Sequence, residues 1–420
     1  MLKNYLKVAL KVLGRRKFYT FISLFGISIT LVVLMVATAL LDHIFAPQSP
    51  ETRGDRTLGI YQIGLRGEQS AYTGFAGYGL AERAVGGLPQ ETPAVQEVSI
   101  FSTPGTVVSY VDGRKIESML KHTDAAFWRI LDFEFLEGGP FTAEDDKEGR
   151  FVAVINETTR RRFFGDQPAL GRTIRADDQS FRVVGVVRDV PILRVIPFAD
   201  VWTPNGTTKS TSYRTEYMGF YMAAILARSR ADFPAIKAEV ASRLKEAEAH
   251  IPDRRTFQHV GGGADTLFEA VARVIFGGNE LKEGQSEKLW ALLVLMAVMF
   301  MVLPTVNLVN INLSRILDRA SEIGVRKAFG ASSRTLVGQF IVENVVLTLL
   351  GGLLGLILAA GVLAALNASG LIPYAQLHLN LRVFGYGLAI ALFFGLFSGV
   401  YPAWRMSRVH PVQALRGRTV

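Results

Sequence analysis

Four long runs of apolar residues divide the chain, and the segments between them are richer in polar positions. A membrane-spanning helix needs about 20 predominantly apolar residues, and the runs at 18–41, 289–313, 341–366 and 383–404 meet that length. The first run contains no charge. The third contains one acid, Glu343, near enough to the cytoplasmic boundary to reach the interface. The pattern predicts an α-helical membrane protein with four transmembrane helices.

The residues before the first run predict a further helix. Leu2, Leu6, Ala9 and Leu13 recur at helical spacing with lysines on the opposite face, which is typical of an amphipathic helix at the membrane surface. We therefore interpret residues 1–17 as an interfacial helix, the alternative being a merely basic flank. The run that follows is longer than the apolar core of a signal peptide and lacks a small-x-small cleavage site, which favours a retained anchor.

Residues 42–288 predict a mixed α+β domain, inserted between the first and second transmembrane helices. Short β-branched and aromatic runs bounded by turn residues indicate strands, and Pro at the first turn followed by apolar i, i+4 spacing indicates a helix. The expected strands are Thr106–Val111, Phe151–Ile155, Phe181–Val187 and Tyr221–Ala227, and the expected helices are Pro234–Ala249 and Phe268–Ile275.

Charge distribution orients the chain. Residues 42–288 carry 30 Lys and Arg against 34 Asp and Glu, whereas the rest of the chain carries 16 basic and 3 acidic residues. Basic residues collect in cytoplasmic loops. We therefore expect 314–340, 405–420 and both termini on the cytoplasmic side, with 42–288 and 367–382 outside, in a multi-pass membrane protein. Basic residues beside apolar runs are not the footprint of a nucleic-acid binder.

The sequence shows no recognisable catalytic or metal motif. There is no cysteine and no G-x-x-x-x-G-K-[ST] phosphate loop. The acidic run at 144–148 lacks the glycine and spacing of a calcium loop, which favours a solvated turn. The run Gly261–Gly263 is not followed by Lys-Ser/Thr and is predicted to be a hinge or turn. We expect a non-catalytic chain that binds no cofactor and no metal.

Three stretches of the sequence resemble a known family. From Ser314 the chain reads SRILDRASEIGVRKAFGASSRTLVGQFIVENVVLTLLGGLLGLILA, and after the fourth run it reads VYPAWRMSRVHPVQALR. Both resemble the permease domain shared by FtsX, the lipoprotein-release permeases and MacB, which belong to the mechanotransmission class of ABC systems. Phe135–Val190 resembles the MacB-type periplasmic core domain, and we do not extend this resemblance to residues 200–285.

The resemblance assigns a role to the cytoplasmic segment 314–340. Glu322 and Arg326 stand at i, i+4 and can pair on a helix, and Ser332 or Ser333 can cap the next helix. In the family, this segment is the coupling helix that docks into the ATPase; the alternative is a solvated basic loop. The interface residues that the resemblance implies are Arg319, Glu322, Ile323, Gly324, Arg326, Lys327 and Gly330.

Glycines in the third apolar run predict close helix packing. Gly351, Gly352 and Gly355 leave room for a neighbouring backbone. The resemblance implies that such packing includes dimerisation, and packing within the chain is the alternative.

The resemblance implies a permease subunit of the bacterial inner membrane, which turns ATP hydrolysis by a separate cytoplasmic ATPase dimer into movement outside the membrane. ATP and Mg are then expected in that partner ATPase and not in this chain. The expected output is extrusion of a peptide, antibiotic, toxin or lipoprotein. The alternatives are FtsX-like control of an extracellular cell-wall hydrolase and ligand sensing without transport. Further expected partners are a second permease subunit, identical or paralogous, membrane lipids, and a periplasmic adaptor with an outer-membrane channel.

Overall fold

The computed structural model describes residues 2–15, 17–111, 113–277, 284–300, 325, 329 and 332–407. The chain divides into two compact units. The helical unit comprises Met1–Asp42, Leu292–Leu371 and Gln376–Val420, and the α/β unit comprises His43–Ala291 and Ile372–Ala375. A short piece between the last two long helices therefore belongs to the α/β unit.

Helices occur in both units. In chain order, α1 to α12 are Leu2–Arg15, Lys17–Phe45, Tyr78–Val85, Leu88–Glu91, Ala125–Ile130, Ala143–Lys147, Glu157–Phe164, Phe233–Ala247, Leu267–Phe276, 286–300, Ser333–Ser369 and Leu381–Ser407. In the part of the chain that the structure describes, Lys17–Phe45 and Val337–Ser369 are long and apolar enough to cross a membrane, and α12 contributes the shorter apolar stretch Leu381–Phe393. The predicted run 289–313 is described only to residue 300, as part of α10, so its second half lies outside the described residues.

Helix α1 forms within the predicted interfacial segment, and part of its apolar face is covered. Ala9 and Leu13 are buried, and Leu13 packs with Ile27, Leu31 and Leu347 in one apolar cluster. Part of the apolar face that the sequence predicts for this helix therefore packs inside the helical unit.

The three glycines of α11 lie against other helices of the same chain. A methyl group at Gly351 would meet Cβ of Ile27 at 2.9 Å, and one at Gly355 would meet Cβ of Leu31 at 3.1 Å. A methyl group at Gly352 would meet the side chain of Leu388. These contacts correspond to the intrachain alternative, and a dimer role for the same glycines remains a prediction.

Polar side chains are buried beside this glycine contact. The Ser28 hydroxyl donates to the Gly351 carbonyl at 2.9 Å, and Gln339 Nε2 donates to Glu343 Oε1 at 3.0 Å. Glu343 is buried among the helices, and its position near the membrane interface remains a prediction. Internal hydrogen bonds are needed because an unsatisfied polar group is costly in an apolar environment.

The α/β unit contains two seven-stranded sheets. Strands β1 to β14 are Thr57–Ile60, Ile63–Arg66, Ala71–Ala76, Val95–Ser102, Gly105–Val111, Arg114–Thr123, Phe135–Gly138, Val152–Asn156, Thr173–Ala176, Gln179–Val187, Val201–Pro204, Met218–Gly219, Tyr221–Ala227 and His259–Gly262. The first sheet has the order β1-β13-β3-β2-β14, with β12 paired to β3 and β4 to β13. The second has the order β5-β6-β11-β8-β10-β7, with β9 paired to β10. Pairs β6–β11 and β8–β10 are parallel.

The expected mixed domain is confirmed, with one correction. The four predicted strands correspond to β5, β8, β10 and β13, and the two predicted helices to α8 and α9. The prediction of a hinge or turn at Gly261–Gly263 is wrong for its first two residues. Gly261 and Gly262 instead pair with Gly64 and Ile63 of β2. A ladder needs only backbone N–H and C=O groups, so low strand propensity did not prevent it.

A lysine lies in the core of the α/β unit. The Lys121 side chain has 0% exposure, and its Nζ donates to the carbonyl of Val195 at 3.2 Å and to that of Ile196. The same nitrogen lies 5.3 Å from the ring centroid of Phe101. Burial lowers the pKa of Lys121 to about 7, against a smaller opposing effect of the Glu51 charge. The ammonium form is therefore disfavoured, although the amine keeps two acceptors.

Replacing Gly351 by Ala should destabilise the helical unit. The new methyl group would stand 2.9 Å from the branched Cβ of Ile27, and overpacking of this kind typically costs about 1–3 kcal/mol. Gly361→Ala is the matched control on the same helix, because a methyl group there meets nothing within 4 Å. We expect a lower melting temperature in detergent for Gly351→Ala and no loss for the control. Equal effects of the two substitutions would contradict this packing.

Stability of the α/β unit should depend on pH through Lys121. An unfolded lysine keeps its proton to about pH 10.4, whereas the buried one releases it near pH 7. The unfolded state therefore binds more protons between these values, and this group makes stability rise with pH across that window. In Lys121→Met the rise should be smaller, measured as thermal unfolding followed by Trp128 and Trp202 fluorescence.

Lys115→Met supplies the control for this pH experiment, since Lys115 lies exposed on the same strand, β6. Its unfolding temperatures should follow the wild-type pH curve. If Lys121→Met also follows that curve, the buried amine does not titrate as stated.

Candidate functional site

All seven predicted ATPase-coupling residues lie outside the described structure. This holds for Arg319, Glu322, Ile323, Gly324, Arg326, Lys327 and Gly330. Within their segment, the Phe329 N–H donates to the Val325 carbonyl at 3.1 Å, which is one helical i→i+4 bond. The Phe329 side chain is 89% exposed. The predicted cap of the following helix is confirmed, because the Ser332 hydroxyl accepts from the Thr335 N–H at 3.2 Å.

A second candidate site lies in residues 191–198 of the α/β unit, which we call the junction loop. Its Arg194 side chain is 2% exposed. Arg194 Nη1 lies 2.9 Å from Glu51 Oε2, and Nη2 donates to the Ala46 carbonyl at 2.7 Å. Ala46 directly follows α2 in the chain, so one guanidinium holds the segment through which the chain leaves its first long helix.

The Glu51–Arg194 pair is sensitive to the loss of either partner. Burial raises the pKa of Glu51, and the hydrogen bond and charge of Arg194 offset part of that effect. Removing one member of a buried ion pair costs about 3–5 kcal/mol, because it leaves the other charge uncompensated. The pair therefore specifies where the 46–51 segment sits in this unit.

The junction loop also contacts the connection between α11 and α12. The Ile192 N–H donates to the Pro373 carbonyl at 3.2 Å, and the ring of Phe198 lies 6.5 Å from that of Tyr374. The Tyr374 hydroxyl donates to Asp200 Oδ1 at 2.9 Å. Burial, followed by the Asp200 charge, raises the pKa of Tyr374 to about 12, so its hydroxyl remains a donor at neutral pH.

Asp200 is the acceptor that organises this contact. Its carboxylate also receives the Met119 N–H at 2.8 Å and Asn156 Nδ2 at 2.9 Å. Tyr374 has φ of +60°, a left-handed conformation that costs energy in a non-glycine residue and persists where its surroundings hold it. The 372–375 segment is therefore held in the α/β unit by a buried side-chain network as well as by a backbone bond.

Helix α9 contacts both the end of α2 and the start of α10. The ring of Phe268 lies 5.8 Å from that of Phe45, at the end of α2, and 4.9 Å from that of Trp290, near the start of α10. Aromatic pairs at such distances add about 0.5–1.5 kcal/mol beyond their buried area.

Three connections that lead into the long helices thus have anchors within the α/β unit. They are the segment after α2, the start of α10 and the segment between α11 and α12. Sequence reasoning missed Arg194, Phe268 and Tyr374. An isolated arginine in an apolar run, PILRVIPF, was the available signal for the first.

The acidic run is exposed at Glu144 and Glu148, as predicted, but most of it forms the short helix α6 and not a turn. Helix α6 begins with a capping box between Thr142 and Asp145, and Arg150 forms ion pairs with Glu144, Asp145 and Glu148. No group of three or more His, Cys, Asp or Glu side chains suited to a metal ion occurs among the described residues.

Comparison with curated proteins finds export permeases. The chain is 27% identical to the macrolide export ATP-binding/permease protein MacB of Wolinella succinogenes over 78% of this chain and 49% of the relative. It is 28% identical to the pyoverdine export ATP-binding/permease protein PvdT of Pseudomonas syringae pv. tomato over 70% of this chain and 42% of the relative. The chain thus spans about half the length of the curated relatives it matches.

Structural and family comparisons address the two parts of the chain. The crystal structure of the periplasmic region of MacB from Actinobacillus actinomycetemcomitans matches with a TM-score of 0.35 at 16% identity, covering 45% of this chain and 84% of that one. The model of the FtsX-like permease C-terminal domain matches residues 294–411. The model of the MacB-like periplasmic core domain matches residues 20–243, more than half of the chain. The chain therefore belongs to the family of ABC transporter permeases with a MacB-like periplasmic core domain and an FtsX-like permease C-terminal domain.

Proposed function

We propose that this chain is the permease subunit of a mechanotransmission complex, in which a separate cytoplasmic ATPase drives movement of the periplasmic domain. The output that we assign to it is export, and the candidate cargoes are a peptide, antibiotic, toxin or lipoprotein. The names of the relatives, which refer to macrolide and pyoverdine export, support this assignment over hydrolase control or sensing.

The anchors of the α/β unit are the observation that carries the proposal. Movement of a helix end can drive a domain only if the connecting segment is fixed to that domain. Arg194 fixes Ala46 after α2, and Tyr374 fixes the connection between α11 and α12. Buried polar contacts suit this task because they hold one geometry and are costly to break.

The cytoplasmic segment is the proposed entry point for ATP-driven motion. Segment 314–340 is basic, includes a helical hydrogen bond from the Phe329 N–H to the Val325 carbonyl, and exposes the ring of Phe329. Aromatic residues and arginine are enriched at protein–protein interfaces, and the sequence of this segment contains both. The chain has no phosphate-loop motif, so we assign ATP and Mg to the partner.

We further propose the membrane arrangement predicted from the sequence. Four helices cross the inner membrane, the periplasmic domain lies between the first two, and both termini are cytoplasmic, in accord with the basic flanks. A second permease subunit, identical or paralogous, completes the complex opposite the ATPase dimer. An adaptor and an outer-membrane channel are the proposed periplasmic partners.

Exchanging the charges at the coupling segment should abolish ATPase binding. We expect tagged wild-type protein, purified from native membranes in mild detergent, to recover an ABC ATPase identified by mass spectrometry. The Glu322→Lys/Arg326→Glu variant should insert normally but lose the ATPase, because both signs of charge at the interface are reversed.

Glu134→Arg/Arg188→Glu provides the charge-matched control for the ATPase pull-down. This pair is exposed in the α/β unit and forms an ion pair at 2.6 Å, which the exchange preserves. The control should retain the ATPase. Absence of any ATPase from well-folded wild-type protein in several detergents would refute the proposed function.

Removing the Tyr374 hydroxyl should weaken the transfer of motion while leaving ATPase binding intact. Tyr374→Phe keeps the ring against Phe198 and deletes the bond to Asp200, a hydrogen bond to a charged group worth about 1.5–3 kcal/mol. In the complex with the ATPase, hydrogen exchange of the α/β unit should change on adding ATP and vanadate, and this change should be smaller in the variant.

Tyr110→Phe is the matched substitution for that exchange experiment, because Tyr110 is 71% exposed in the same unit. It should respond to ATP like the wild type. A full response in Tyr374→Phe would show that the 372–375 anchor does not transmit movement.

A further inference from the structure

The α/β unit contains an open basic cleft whose lining includes none of the anchor residues Arg194, Phe268 and Tyr374. It measures about 950 Å³ and lies between the start of β6 and the end of α7. Its lining includes five cations and one carboxylate, a formal charge of +4. The charged residues are Arg114, Lys115, Arg161, Arg162, Arg172 and Glu117.

The positive charge of the cleft contrasts with the net negative charge of the domain around it. Residues 42–288 carry four more acidic than basic residues. Lys115 pairs with Glu117, and Arg161 with Glu157. The other three arginines form no ion pair with any described residue, although like charges near one another repel. Such an uncompensated group of arginines is suited to an anion from outside the chain.

The guanidinium groups of Arg172 and Arg162 are held by contacts with uncharged groups. Arg172 stacks on Phe164, with its Cζ 4.6 Å from the ring centroid, and donates to Gln167 Oε1 at 2.9 Å. Arg162 Nη1 donates to the Glu117 carbonyl at 3.4 Å. A guanidinium has five N–H donors, so these bonds position each group and leave donors available. Phe163 and Phe164 add apolar surface to the lining.

We propose that this cleft binds an organic anion in which a phosphate or carboxylate is attached to an apolar group. The planar arginine fork binds both oxyanions through paired hydrogen bonds, and the phenylalanines accommodate the apolar part. The volume falls in the range of small-molecule sites, about 300–1,000 Å³. The anion comes from a soluble compound or from a lipid headgroup. Binding at this site does not require the ATPase, so it can be measured with this chain alone.

Phenyl phosphate is the probe that tests the site. Full-length protein in phosphatidylcholine nanodiscs, titrated by calorimetry at low salt, should bind it saturably and more tightly than inorganic phosphate. Added salt should weaken binding, since exposed charges are screened. Arg162→Gln/Arg172→Gln should raise the Kd by at least about tenfold, which corresponds to about 1.4 kcal/mol.

Arg230→Gln/Arg254→Gln removes the same charge from two exposed arginines that do not line the cleft, and its Kd should stay within about twofold of wild type. In phosphatidylglycerol nanodiscs, a weaker apparent affinity supports the site and identifies a lipid headgroup as its ligand. An unchanged affinity supports the site and identifies a soluble anion. Absence of saturable binding to the wild type, or an equal loss in both arginine variants, would overturn the proposal.

Discussion

The buried guanidinium of Arg194 holds the point at which the chain leaves its first long helix. It neutralises Glu51 and occupies the Ala46 carbonyl, so the segment 46–51 has one favourable position in the α/β unit. Both charges are withdrawn from water, which makes the pair a weak source of net stability but a strong source of specificity, because any other arrangement leaves a charge unpaired. A domain that is to follow a helix end needs this kind of attachment.

The junction loop is held by an ion pair and by hydrogen bonds from core side chains to its backbone carbonyls. Arg194 supplies an ion pair, the carbonyls of Val195 and Ile196 accept from Lys121, and the Pro197 carbonyl accepts from Trp202 Nε1 at 3.1 Å. A loop normally lacks backbone partners and is mobile. Here the core of the domain provides those partners, so the loop can connect the 46–51 and 372–375 segments to the sheets.

Local sequence signals accounted for much of the fold. The strands β5, β8, β10 and β13 and the helices α8 and α9 were visible because burial imposes a period of two or 3.6 residues on the side chains. Sequence reasoning was wrong at Gly261 and Gly262, whose strand depends on the partner β2 and not on their own side chains.

The sequence by itself determined the apolar runs, the basic flanks and the family motifs, since each of these depends on residues close together in the chain. Only the tertiary structure decided the junction. Arg194 and Glu51 are 143 residues apart, and Tyr374 and Asp200 are 174 apart. It likewise assembled the basic cleft from a strand and a helix that are separate in sequence. Pairing at such distances leaves no periodic pattern in the sequence, because it depends on which residues the fold brings together.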